Sequence, residues 1–125
     1  MFTKEIVHTK DEEGRPVVAV PLGPRGRHGY AVLYEEDFSL LEYLGVSPNW
    51  NINGGGYVIC NASGAPGGKV QVARVLLDAG QGQQVTFINH NKADLRRNNL
   101  RLVEGYAQRR DREFIKPKEI KHVRA

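Results

Sequence analysis

The stretch VTFINHNKADLRRNNLRLVEGYAQ, residues 85–108, decides the fold. VTFI (85–88) and LRLV (100–103) are short runs rich in β-branched and aliphatic residues. Between them NHNKADLRRNN (89–99) is a polar loop dense in Asn and Asp, whose short side chains bond nearby backbone and shape turns. GYAQRRDREF (105–114) follows at once with helical character. Two strands bracketing a structured loop, then a helix, predict a β-Ω-β-α unit over residues 85–113.

Working outward, VVAVPL (17–22) reads as a strand stopped at the Gly/Pro/Arg-rich GPRGRHG, and YAVLY (30–34) as a second strand. EEDFSLLEYLG (35–45) predicts a short helix. Its first turn is acidic, Phe38, Leu41 and Leu44 are spaced by three, and Gly45 stands where a C-terminal cap belongs. SPNWNINGGG reads as a turn region, GYVICN as a strand, and KVQVAR as its hairpin return. VARVLLDAG is expected to turn helical at its end. Residues 1–16 are a polar segment, 17–114 a single domain, and 115–125 a basic tail broken by Pro117. The expected class is α+β: a small antiparallel β-sheet with short helices, ending in the ββα unit.

At 125 residues the chain is long enough for one hydrophobic core. Its 40% hydrophobic and 26% charged residues are an ordinary globular balance, and no apolar run approaches the ~18 residues of a membrane span. The start, MFTKEIVHTKDEEG, lacks the apolar core of a secretory signal. The single Cys60 offers neither a disulfide nor a cysteine zinc site, so a reducing cytoplasm is the expected location. Charge is unevenly spread. Residues 1–91 hold 7 Lys/Arg against 9 Asp/Glu, a balance of −2, whereas residues 92–125 hold 11 against 5, a balance of +6. Such a segment suits a phosphate-contacting surface or a solvated tail equally well on charge alone.

The residues Ile88, Asn89, Asn91, Lys92, Asp94, Arg96, Asn99, Leu100, Arg101, Leu102 and Val103 fall in one register with the finger of the HNH (His-Me finger) endonucleases of phages and mobile elements, and the chain resembles that family over about residues 19–110. GGGYVIC and VQVARVLL are similar to the family's upstream segments. The resemblance implies a ββα finger that cuts with a histidine base and one divalent metal ion. The position of the base is Phe87. The ligand position before it is Thr86, which has no anionic oxygen, and the second ligand position, on the helix, is Gln108. Ala73 stands where the family has an upstream histidine. Asn99 alone is retained, and its usual task is to orient the missing base. No cofactor and no metal is therefore expected.

Structural readings stand beside these. Asn89, Asn91, Asp94 and Asn99 serve to fix a long loop, Phe87 to pack against the hairpin, and Trp50 and Tyr57 to build the core. His90 is a solvent-facing loop residue or a displaced base, while His8, His28 and His122 have no second ligand at metal spacing. Lys92, Arg96, Arg97, Arg101, Arg109, Arg110 and Arg112 flank the degenerate site, and the resemblance puts them where phosphates lie in active relatives. Tyr106 and Phe114 are too few to argue for single-strand stacking.

The leading expectation is thus a catalytically inactive HNH-like protein that binds nucleic acid, duplex DNA before RNA. A phage- or mobile-element-encoded inhibitor or interaction protein, acting on a nuclease or another nucleic-acid enzyme, is the alternative; acidic EEGRP and EEDFSLLEYL would suit it. A nuclease with a rearranged site built on His90 and Gln108 is the third. Neither a membrane partner nor a signal is expected.

Overall fold

The computed structural model of the chain describes residues 5–116. The molecule is mixed α+β, with three small antiparallel sheets rather than one. The first contains β1 (Val7–Lys10), β2 (Pro16–Pro21) and β3 (Tyr30–Tyr34) in that order. Alternation along β2 and β3 sends Val18, Val20, Ala31 and Leu33 inward, all fully buried. β1 lies in the polar segment 1–16, where the sequence predicts no strand. All four of its residues are exposed, so it carries no apolar alternation and is held by backbone pairing, with Thr9 opposite Val17.

Helix α1 (Glu35–Leu44) forms as its acidic first turn and apolar spacing predict. Gly45 ends it at φ 100°, a left-handed conformation that a residue with a Cβ adopts only with strain, and Val46 N–H closes back onto Leu41 O at 2.9 Å. Phe38 and Leu41 enter the core against Trp50, which is 1% exposed, with the Phe38 and Trp50 ring centroids 6.2 Å apart.

The second sheet runs β4 (Trp50–Ile52), β5 (Val58–Asn61), β6 (Lys69–Gln71). β4 lies inside the region read as a turn. α2 (Val72–Leu76) follows β6 directly, so VARVLLDAG is helical at its beginning rather than its end, and every residue of that helix is buried. Parallel bridges from Leu22 to Trp50 and from Val32 to Asp94 tie the sheets together, and one hydrophobic core draws on all of them.

The third sheet is the ribbon β7 (Gln83–Phe87) and β8 (Leu100–Glu104), antiparallel, with Val85 opposite Leu102 and Phe87 opposite Leu100. The two strands and the ordered loop between them match the expectation; the helix does not. Residues 105–110 are irregular, and a 3-10 turn occupies Asp111–Phe114. Tertiary contacts outweigh the local preference for helix, which is weak in a segment this short. Gly105 N–H bonds Gly82 O at 2.9 Å, Ala107 O accepts Gly82 N–H at 2.8 Å, and Asp111 is drawn into the interior. Of the tail expected at 115–125, residues 117–125, including His122, lie outside the described residues. Among the described residues no helix is long and apolar enough to cross a membrane.

Candidate functional site

The loop between β7 and β8 is built by its own amides. Asn99 Oδ1 accepts Asn89 N–H at 2.9 Å while Asn99 Nδ2 donates to Asp94 O at 2.9 Å, so the one retained residue of the motif spans the loop neck. Asn89 Oδ1 accepts Asn91 N–H at 2.8 Å, and Asn91 Oδ1 accepts Ala93 N–H at 3.0 Å. Leu95 plugs the loop into the core, fully buried. His90 sits at the tip with φ 63°, a conformation a glycine would take more easily.

Thr86, Phe87 and Gln108, the positions that the resemblance would assign to ligands and base, line one open cavity of about 760 Å³, and His90, Lys92 and Arg109 line it too. Phe87 is 9% exposed, its ring centroid 6.3 Å from that of Tyr57, so apolar bulk stands where the resemblance would place a base. Lys92 Nζ donates to Gly55 O at 2.7 Å and lies 4.2 Å from the Tyr57 ring centroid. Gln108 Nε2 donates to Tyr106 O at 3.0 Å.

The cavity wall also contains a buried charge cluster that sequence reasoning missed. Arg74 Nε donates to Asp111 Oδ1 at 3.0 Å, and the rest of its guanidinium reaches the carbonyls of Gln83, Ala79, Gly80 and Arg109. Asp111 Oδ2 accepts Gln71 N–H at 2.9 Å. Among the described residues Asp111 is the one carboxylate lining the cavity; it is 1% exposed and both its oxygens are engaged. The residues present do not fit the divalent ion that the family resemblance implies, since a hard cation needs anionic oxygens free to ligate. Among the described residues no group of three or more His, Cys, Asp or Glu is placed to hold a metal ion.

Most of the cations expected to face phosphate have internal acceptors. Arg96 clasps Asp94 through Nε and Nη2, each at 2.9 Å, and reaches Glu12 at 3.1 Å. Arg97 Nε donates to Asp37 at 2.9 Å. Arg109 donates to Asp111, Pro66 O and Lys69 O, Arg110 holds Asp78 through two bonds, and Arg112 donates to Val75 O and Leu76 O. The Arg101 side chain is exposed with no partner among the described residues; the residue stands opposite Thr86 in the ladder and so shares that residue's face. The acidic partners Asp37, Asp78 and Asp111 lie far from the finger motif or inside the RRDRE run, and no local pattern marks them.

These pairs shift titration. Burial pushes the Asp94 carboxyl up, but the Arg96 guanidinium and N–H and the Asn89 amide more than offset this and hold it below the usual carboxylate range. Arg110 lowers Asp78 in the same way, and Arg96 is raised, chiefly by its bonds to Asp94. Burial pushes the Cys60 thiol up to about 12, so no thiolate nucleophile is available at neutral pH.

No family model matches the chain, and no curated protein or solved structure matches it either.

Proposed function

We propose that the chain is a catalytically inactive HNH-like protein that binds nucleic acid, duplex DNA before RNA, through the face that carries the cavity beside β7. One observation carries this reading: the positions that correspond to base and ligands line a single cavity whose rim is cationic and whose one carboxylate is buried in an ion pair. Lys92 keeps two ammonium protons beyond its bond to Gly55, and Arg101 on the ribbon is unengaged among the described residues. Among the described residues no group of His, Cys, Asp or Glu is placed to hold a metal ion, which favours binding over cutting.

A gel-shift titration at two salt concentrations tests it. Affinity should fall steeply between about 50 and 200 mM salt, and Lys92→Ala with Arg101→Ala should weaken binding to all sequences alike. Each lost phosphate contact should lower the magnitude of the slope of log K against log salt by about 0.9. Absence of binding at low salt defeats the proposal. Incubation with magnesium, manganese or zinc should leave plasmid DNA uncut, whereas nicking that His90→Ala abolishes would restore the nuclease reading.

The interaction-protein reading draws on α1, whose outer face carries exposed Glu42 and Tyr43, the latter 80% exposed. Binding to a protein partner without binding to DNA would put it ahead.

A further inference from the structure

Tyr106 is 95% exposed, the most open of the large hydrophobic side chains among the described residues, yet its backbone neighbours are held by hydrogen bonds. Gly105 and Ala107 on either side bond Gly82 at 2.9 and 2.8 Å, which extends the ribbon past Glu104 and pins Tyr106 at the mouth of the cavity. Gly105 permits this close approach, because a Cβ there would meet Gln84 Cβ and Cγ at 2.9 Å. An isolated surface aromatic needs no explanation. This one lines an open cavity together with Tyr57, Gln71 and Gln84, and the side-chain amides of the two glutamines have no hydrogen-bond partner among the described residues.

These parts match the chemistry of one nucleotide. A flat aromatic face on a fixed backbone stacks on any base, an amide offers both a donor and an acceptor to a base edge, and Lys92 supplies a phosphate contact. The volume, about 760 Å³, falls in the range of roughly 300–1,000 Å³ that small-ligand pockets occupy. We infer that the cavity receives a single unpaired nucleotide, its base stacked on Tyr106, its edge against Gln71 and Gln84, and its phosphate at Lys92. The inference rests on the nucleic-acid reading above and narrows it: the preferred ligand is DNA with an unstacked base rather than a perfect duplex. A base inside a helix has no free face to offer, whereas an unpaired one leaves its stack at least expense.

Fluorescence anisotropy of a paired DNA duplex against the same duplex with one bulged nucleotide tests this, with 2-aminopurine at the bulge. The full chain should bind the bulged duplex about 10- to 100-fold more tightly, the span that stacking on one aromatic supplies. Tyr106→Ala should bring the ratio close to one and remove the change in 2-aminopurine emission, while Tyr106→Phe should preserve both. A ratio near one in the wild type, or a preference that survives Tyr106→Ala, overturns the inference and leaves the nucleic-acid reading standing on duplex binding. Binding to neither substrate at low salt overturns both.

Discussion

Arg74 shows what a single side chain does here. It enters from α2, a helix of only five residues, and its planar fork ties together the start of β7, the turn at residues 79–80 and the segment around Arg109. Five acceptors for one guanidinium is a use that lysine cannot reproduce, since an ammonium has three donors and no fork. Arg74→Met would leave Asp111, 1% exposed, with only the half-buried Arg109 opposite it. Stranding a buried carboxylate costs about 3–5 kcal/mol, a large part of the ~5–15 kcal/mol that holds a typical domain. The urea midpoint should fall accordingly with the slope unchanged, and Arg74→Lys should recover only part of the loss. A change under about 0.5 kcal/mol would show that the cluster is not structural.

At the scale of an element, the loop between β7 and β8 is organised by Asp94. Its carboxylate bonds Arg96 and Asn89, its main chain bonds Asn99, and through the bridge to Val32 it fastens the loop to the first sheet. Because its folded pKa lies below the usual carboxylate range, its contribution is present above the unfolded value, about 3.9, and is lost as pH falls through the lower folded value. Asp11 and Asp78 are shifted in the same direction. Chemical denaturation followed by the fluorescence of buried Trp50 should therefore give a lower midpoint at pH 3 than at pH 7. Asp94→Asn should lower the midpoint at pH 7 and flatten the acid limb. A variant whose pH profile parallels the wild type would assign the acid sensitivity to other carboxylates.

Over the whole molecule, the basic C-terminal third is a set of clamps as well as a surface. Arg96, Arg97, Arg109 and Arg110 pair with Asp94, Asp37, Asp111 and Asp78, and three of these carboxylates are buried. Replacing the four arginines by alanine should therefore lower the melting temperature by more than ten degrees, chiefly by stranding Asp37 and Asp94. Arg101→Ala, on an exposed and unengaged side chain, should leave it within a few degrees. A stable quadruple variant would mean that these pairs are surface pairs of little worth. Arg101 is consequently the substitution that probes nucleic-acid binding without confounding it with unfolding, whereas Lys92, which bonds Gly55 and lies over Tyr57, is to be read with its melting temperature beside it.

Much of the architecture is legible in the chain. The acidic turn, three-residue apolar spacing and Gly45 specify α1; alternation specifies β2 and β3; the Asn/Asp-rich run flanked by aliphatic strands specifies the ribbon and its ordered loop. These are signals between near neighbours, carried by caps, periodicity and short side chains that bond adjacent backbone. β1 could not be read, since an edge strand with four exposed residues is defined by its partner's hydrogen bonds and not by its own pattern. The helix expected after β8 gave way because Asp111 is buried under Arg74 from another part of the chain. The candidate site divides the same way. The sequence by itself determined that positions 86 and 87 offer neither a base nor an anionic oxygen, because side-chain chemistry is a property of the residue. Only the tertiary structure decided that most of the arginines are engaged internally and that Tyr106, Gln84 and Lys92 meet at one cavity, because ion pairs and cavities join residues tens of positions apart, whose distance is set by how the sheets pack.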